Sequence, residues 1–437
     1  MRAIVTNFGS AGDLRPYLAL ILELRRHGHE AAFMFPPHFR DAIEAYGVEF
    51  IPIGPDFEKV QHDIISTTVA TRNIDYSTEH ILTLFAPLVD ALPRMFSELS
   101  DACRDADVLI SGPMQPASRM VHELTDIPFV SIQEAHFGGG GTPAYQQATR
   151  ALINPVRVGY GLSPLPHPLT HDANSPQLAL YAMSRYVMPE SPDWPAHFHM
   201  TGYFLMEGEH WEPYPELARF LAEGEPPVVI CFGSMTHQDP AAVTELILEA
   251  IKKTGCRAIL QQGWSGLGRE SMPPGVHLAG FIPHTWLFNH ASCVVHHGGG
   301  GTVAAAFMAG VPSVVIPHGA DQPLWAQLAH ELGATVAPIP FLELTAHRLG
   351  DAITATLTNR KYREAAAELR ERIRAERGVE KARLLIEELV SRIGLCKRNT
   401  TAPNMAFGEP VPGRSGRRKE YQRQERSRKR TAMLPLT

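Results

Sequence analysis

Apolar residues in this chain come in short runs separated by helical stretches. Residues 3–8 read as a buried strand, 9–13 as a turn and 14–27 as a helix. In that helix Leu20, Ile21 and Leu24 supply an apolar face, Leu18, Leu22 and Arg25 lie to another side, and Gly28 closes it. Residues 30–35 form the next strand. Strand, helix and strand in this order predict a parallel α/β sheet. The pattern recurs at 107–111 and 128–133, then at 228–232, 258–261, 276–279, 293–296 and 311–317.

Residues 205–227 are acidic and proline-rich and carry no strand pattern, so the domain boundary is expected there. A first domain is expected over 1–205 and a second over 206–378. Ala382, Leu385, Ile386, Leu389 and Ile393 fall at helical spacing and predict a last helix over 379–396 whose apolar stripe needs a surface. Past Cys396 the chain turns basic and loses its pattern, so 397–437 is expected to be a disordered tail. The expected class is α/β, with two doubly wound, Rossmann-like domains facing across a cleft. Ligands of such sheets sit beyond the carboxyl ends of the strands.

The chain has 437 residues, enough for two ordinary domains, and 44% of them are hydrophobic, enough for two cores. Its net charge of −6 does not point to nucleic acid. That sum hides an asymmetry. From Lys397 to Thr437 there are 11 basic and 3 acidic residues, a net of +8, which leaves −14 on the rest. The tail is read as a solvated extension, with weak peripheral contact to anionic membrane as its alternative. Five cysteines without a C-x-x-C pair fit a reducing, cytoplasmic compartment. The first residues turn glycine-rich too soon for a signal peptide, and no apolar run approaches the ~18–20 residues that span a bilayer.

Chemistry concentrates in residues 294–322. A strand ends at Val294-Val295, His296 and His297 follow, and Gly298 to Gly301 precede a helix opening at Thr302 and stopped by Gly310. Bare amides feeding a helix N-terminus make an anion site, so the expected ligand is a phosphate or diphosphate. No Lys follows the glycines, which excludes a P-loop, and the spacing is not that of a dinucleotide-binding G-x-G-x-x-G turn. Adjacent strand residues point to opposite faces, which argues against His296 and His297 sharing a metal. A second candidate is Asp13 in the turn Gly9 to Pro16. Read alone, it is either a general base at the cleft edge or an N-cap of the following helix.

Histidines before the glycines and Asp321-Gln322 after the next strand resemble the donor-binding motif of family 1 glycosyltransferases of the GT-B fold. The resemblance covers about residues 1–395. It is strongest to sterol and bacterial natural-product enzymes, through FLAEGEPPVVICFGSM and FIPHTWLF. Gly300 departs from it, because Ala is usual there in bacterial relatives. The resemblance implies that Gly12-Asp13-Leu14-Arg15-Pro16 is the G-D-x-x-P form of the catalytic turn, with Asp13 as base. It implies that His297, Gly299, Gly301 and Thr302 hold the diphosphate, that Asp321 and Gln322 read the sugar, and that Ser234 faces the phosphates. Phe281 takes the place of an aromatic that stacks on the nucleobase, and the Ile282 backbone would pair with the base edge. Gly12 completes the donor-side set. No acid stands at the end of the strand over 107–111, where plant relatives carry an Asp that orients their catalytic His. Ala305 stands where plant relatives bind ribose with Glu, so UDP and dTDP both remain open.

The expected activity is an inverting hexosyltransferase. It takes a nucleotide-sugar co-substrate, with no cofactor and no metal, and glycosylates a hydroxyl of a lipophilic small molecule. The acceptor pocket is expected from residues 60–90 and 133–145. A glycine run at 138–141 echoes the donor turn and is read as an acceptor-side loop. Two alternatives are a nucleotide-sugar epimerase and a non-catalytic helper protein that keeps the fold.

Overall fold

A computed structural model describes residues 1–9, 11–54, 78–134, 142–206, 211–233, 235, 237–263, 266–319 and 321–400. Its first sheet holds β1 (Arg2–Thr6), β2 (Glu30–Phe35), β3 (Glu49–Pro52), β4 (Val108–Ser111), β5 (Phe129–Gln133), β6 (Leu178–Tyr181) and β7 (Phe198–Met200), ordered β3-β2-β1-β4-β5-β6-β7. Its second holds β8 (Val228–Cys231), β9 (Ala258–Gln261), β10 (Val276–Ala279), β11 (Cys293–His296) and β12 (Ser313–Val315), ordered β10-β9-β8-β11-β12. The named strand pairs are parallel, so the two α/β halves are Rossmann-like.

The helices are α1 (Ala11–Arg26), α2 (Arg40–Glu44), α3 (Thr78–Ala102), α4 (Pro116–Thr125), α5 (Pro143–Gly159), α6 (Pro215–Ala222), α7 (Pro240–Thr254), α8 (His284–Leu287), α9 (Gly300–Ala309), α10 (Gln322–Glu331), α11 (Ala346–Thr358), α12 (Arg360–Ala375) and α13 (Gly378–Thr400). They cover both faces of the sheets. Ile4, Met34, Leu92, Met95 and Phe129 share one core. Val228, Ile230, Phe232 and Val295 pack against Ile247 and Ile353 on one face of the second sheet, and Val229, Ile259 and Val294 pack against Leu287 and Phe288 on the other.

Strand order sets where ligands go. The chain runs β1, β2, β3 outward and then returns to place β4 on the other side of β1. It does the same in the second half, with β8, β9 and β10 outward and β11 beside β8. Each return leaves a crevice at the carboxyl ends of two diverging strands. The turn before α1 follows β1 and the glycine turn follows β11, so both turns singled out in the sequence open at these crevices.

Several local expectations are corrected. Helix α1 begins at Ala11, not Leu14, because Ala is a strong helix former and Asp13 then sits in the first turn, where an acid suits the helix dipole. Asp13 is therefore not the N-cap. Helix α9 begins at Gly300, not Thr302, because the Thr302 and Val303 amides donate to the Gly299 carbonyl at 2.9 and 3.0 Å and close the turn early. Residues 205–227 contain α6, whose Leu217 is fully buried behind an acidic, proline-rich composition. Helix α13 continues through Thr400, past the last apolar repeat at Ile393. Residues 401–437 lie outside the described residues.

Helix α13 packs on α1. The Arg383 guanidinium donates to both Glu387 oxygens at 2.9 and 2.8 Å and to Glu23 of α1 at 3.3 Å, and Glu387 meets His29 at 2.8 Å. Lys381 donates to the Met200 carbonyl at 2.6 Å. Among the described residues no helix is long and apolar enough to cross a membrane.

Candidate active site

Asp13 sits in the first turn of α1 and is partly exposed. Its carboxylate lies against Gly9, where any side chain would collide with it. Beneath it Tyr17 is fully buried and donates its hydroxyl to the Ile132 carbonyl at 3.1 Å. A side chain at Gly112 would strike Asn7 Oδ1 and would fall 2.5 Å from Tyr17 Oη. The position after β4 therefore has no room for an orienting acid, because Asn7 and Tyr17 fill that space.

The sequence reading missed Glu134, which follows β5. Its Oε1 is buried without a hydrogen-bond partner. Burial, and then the charge of Asp13, hold its carboxyl well above the usual range, while Tyr17 acts in the opposite sense. Glu134 in turn helps hold the Tyr17 hydroxyl up, after burial. A lone acid at the end of an apolar strand carries no signal. Its meaning comes from Tyr17, far away in the chain.

Across the second half, His297 is buried and its ring lies between two glycines. A methyl carbon on Gly299 would fall 2.5 Å from Nε2, and one on Gly233 would fall 3.1 Å from Cε1. Nδ1 of His297 is buried without a partner, and burial pushes the imidazole down to about 4. His296 is tied up differently, since its Nδ1 accepts from the Gly298 amide at 3.1 Å. Gly298 adopts φ +89° and is held close to Val315 and the Gln322 backbone, which leaves no space for a side chain. Gly299 is the N-cap residue of α9. Gly301 faces open space, whereas Thr302 is buried with its amide turned to Gly299.

Asp321 precedes α10, makes no side-chain cap bond, and accepts from Trp325 Nε1 at 2.7 Å. Burial raises its carboxyl above the ordinary value. Gln322 is buried. Its Oε1 accepts from the His318 and Gly319 amides at 2.8 and 3.3 Å, and its Nε2 lies 3.4 Å from Met235 Sδ. Gln322 thus shapes the turn after β12. Phe281 is 70% exposed, and the guanidinium carbon of Arg15 lies 5.5 Å from its ring centroid. Ile282 is buried and its carbonyl already accepts from Gln261 Nε2 at 2.8 Å. Base-edge pairing there would fall to its amide or to the second lone pair of that oxygen. Gly12 is exposed on the first turn of α1. Ser234, the loop over 135–141 and residues 60–77 of the expected acceptor pocket lie outside the described residues. Of the remainder of that pocket, α3 and α5 meet with the Phe85 ring edge-on to Tyr145 at 5.8 Å.

Residues 3–133 match the glycosyltransferase family 28 N-terminal domain, and residues 247–386 match the C-terminal domain of erythromycin biosynthesis protein CIII-like proteins. The chain is similar to a sterol 3-beta-glucosyltransferase of Arabidopsis thaliana, at 27% identity over 95% of this chain and 68% of the relative. It is also similar to the O-mycaminosyltylonolide 6-deoxyallosyltransferase of Streptomyces fradiae, at 29% identity over 89% of this chain and 97% of the relative. Among solved structures it resembles the glycosyltransferase VinC, solved in complex with DTDP, with a TM-score of 0.67 at 19% identity over 90% of this chain and all (100%) of that one.

Proposed function

Because this chain belongs to the family 1 glycosyltransferases of the GT-B fold and is a hexosyltransferase, we propose that it moves a hexosyl group, with inversion, from a nucleoside diphosphate sugar to a hydroxyl of a lipophilic small molecule. A sterol or a polyketide-type natural product is the acceptor class that its relatives favour. UDP-glucose and a dTDP-sugar are the donors the reading admits.

In this reading Asp13 takes the proton of the acceptor hydroxyl as that oxygen attacks the anomeric carbon. The bond from that carbon to the diphosphate oxygen breaks on the opposite face, and its electron pair leaves with the nucleotide. His297 and the amides at the start of α9 face the diphosphate and stabilise the departing charge. Asp321 has one oxygen occupied by Trp325, which leaves the other for a sugar hydroxyl. No metal takes part in this scheme.

One observation carries the reading. The α1 turn that holds Asp13 also holds Arg15, and Arg15 lies over Phe281 of the other half. Asp13, read as the base, and Phe281, read as the nucleobase platform, are thus linked through one turn of α1, which supports a site shared by the two halves. The test is Asp13→Ala, which is expected to abolish sugar transfer while nucleotide diphosphate affinity, read by calorimetry, stays within about twofold. Undiminished transfer by that variant would remove Asp13 from the scheme.

A further inference from the structure

Three imidazoles stand at the carboxyl ends of three adjacent strands, β8, β11 and β12. His237 follows β8, His297 follows β11 and His318 follows β12. Each has a buried ring nitrogen without a hydrogen-bond partner: Nδ1 and Nε2 of His237, Nδ1 of His297 and Nε2 of His318. Buried imidazole nitrogens normally find partners, so several orphans in one crevice mark a place where something polar binds. The His237 and His318 rings are 5.4 Å apart, and both stack on Phe341, at 5.0 and 4.3 Å.

We infer that His237 and His318 join His297 in gripping the diphosphate of the nucleotide, and that the cluster takes up a proton from solvent as the anion arrives. This rests on the nucleotide-sugar reading above and goes beyond it in two residues and one proton. The chemistry follows from His318. Its Nδ1 lies 2.8 Å from the Ile316 carbonyl, which only accepts, so Nδ1 carries the hydrogen. In the neutral ring Nε2 is then a bare lone pair that repels an anion, and only a protonated ring donates from both nitrogens. The Phe341 face beneath both rings favours that cation.

The surroundings suit an incoming anion. Among the described residues, His296 of β11 and His284 of α8 lie within electrostatic reach of His297, with Arg15 of α1 bearing on His284, and His318 feels His237 and His297. Burial keeps His296 and His284 neutral. Among the described residues no carboxylate contributes to the state of His237, His297 or His318. No three His, Cys, Asp or Glu side chains among them are placed to hold a metal ion.

The test is calorimetric titration of the full chain with UDP, dTDP and inorganic pyrophosphate at one pH, in two buffers of different ionisation enthalpy. Uptake of about one proton per diphosphate is expected, with affinity falling as pH rises. His318→Phe and His237→Phe, checked for folding by thermal unfolding, are each expected to weaken diphosphate binding on the order of tenfold. His318→Phe is also expected to remove most of the proton uptake, and His318→Gln controls for loss of the ring. Nucleotide binding without proton uptake, or with full affinity in both Phe variants, would overturn the inference and leave the transferase reading standing. No binding of any nucleotide by the folded protein would overturn both.

Discussion

Trp325 donates its indole N–H to Asp321 at 2.7 Å, and the same indole fills the space beside Gly300, where a methyl carbon would fall 3.1 Å from Nε1. A side chain at position 300 would press on the indole, so glycine suits this place. The buried indole, 1% exposed, takes the room, and in exchange it fixes one oxygen of the acid expected to read the sugar. Trp325→Phe keeps an aromatic ring but loses the donor and part of the buried volume. A hydrogen bond to a charged group is worth about 1.5–3 kcal/mol, so urea unfolding should show a loss of that order, and the KM for the nucleotide sugar should rise. Gly300→Ala gains helix propensity of up to ~1 kcal/mol and loses part of it by crowding the indole. The two substitutions should therefore couple rather than add in a double-mutant cycle.

Burial holds His237 and His297 down to about 4 and His284 and His318 down to about 3, against an ordinary 6.5. Unfolding lets each regain its proton. Their contribution is fully present above pH 6.5 and is lost as pH falls from there toward about 4 for His237 and His297 and about 3 for His284 and His318. Each histidine adds a slope of up to ~1.4 kcal/mol per pH unit across that window. Denaturant unfolding should show a steep acid decline, and His237→Phe should flatten it while changing stability little at pH 8.

Arg383 is 8% exposed and is held between Glu387 of its own helix and Glu23 of α1. Removing one partner of a largely buried ionic group strands the others. Arg383→Ala should destabilise the protein by about 3 kcal/mol. A loss below ~1 kcal/mol, read from chemical unfolding, would mean that these ions are solvated like surface pairs.

Glu134 titrates in the opposite sense to the histidines. Its folded carboxyl lies well above its ordinary 4.5, so the stability it contributes is complete below pH 4.5 and is lost as pH rises through the folded value. Glu134→Gln mimics the protonated acid. Its stability advantage over the parent should grow with pH above 4.5, by up to ~1.4 kcal/mol per unit. A constant difference from pH 5 to pH 9 would show that Glu134 is ionised when folded.

The fold was legible where strands are buried on both faces, and the run over 30–35 and the segments at 258–261 and 293–296 match their strands to the residue. The segment at 276–279 matches too, although it is a partly buried edge strand. Glu49–Pro52, Leu178–Tyr181 and Phe198–Met200 were missed. Two of them, β3 and β7, are short edge strands, where one neighbour and partial burial leave no continuous apolar run. In the site, the glycine turn and Asp321-Gln322 were legible because their elements are local. The early start of α9 was not, since glycine is a poor helix former and the Gly299 carbonyl overrode its propensity. His237, His318 and Glu134 were invisible for another reason: only strand order brings them to their neighbours.

The central claim is that Asp13 drives acceptor-dependent transfer from a nucleotide sugar. The most direct measurement is release of UDP or dTDP from the corresponding glucose conjugate, with and without sterol and macrolide aglycone acceptors, by the parent protein and Asp13→Asn. The account predicts release that depends on acceptor and that falls by roughly 10²–10⁴ in the variant, with nucleotide affinity retained. Release at the parental rate by Asp13→Asn would contradict it.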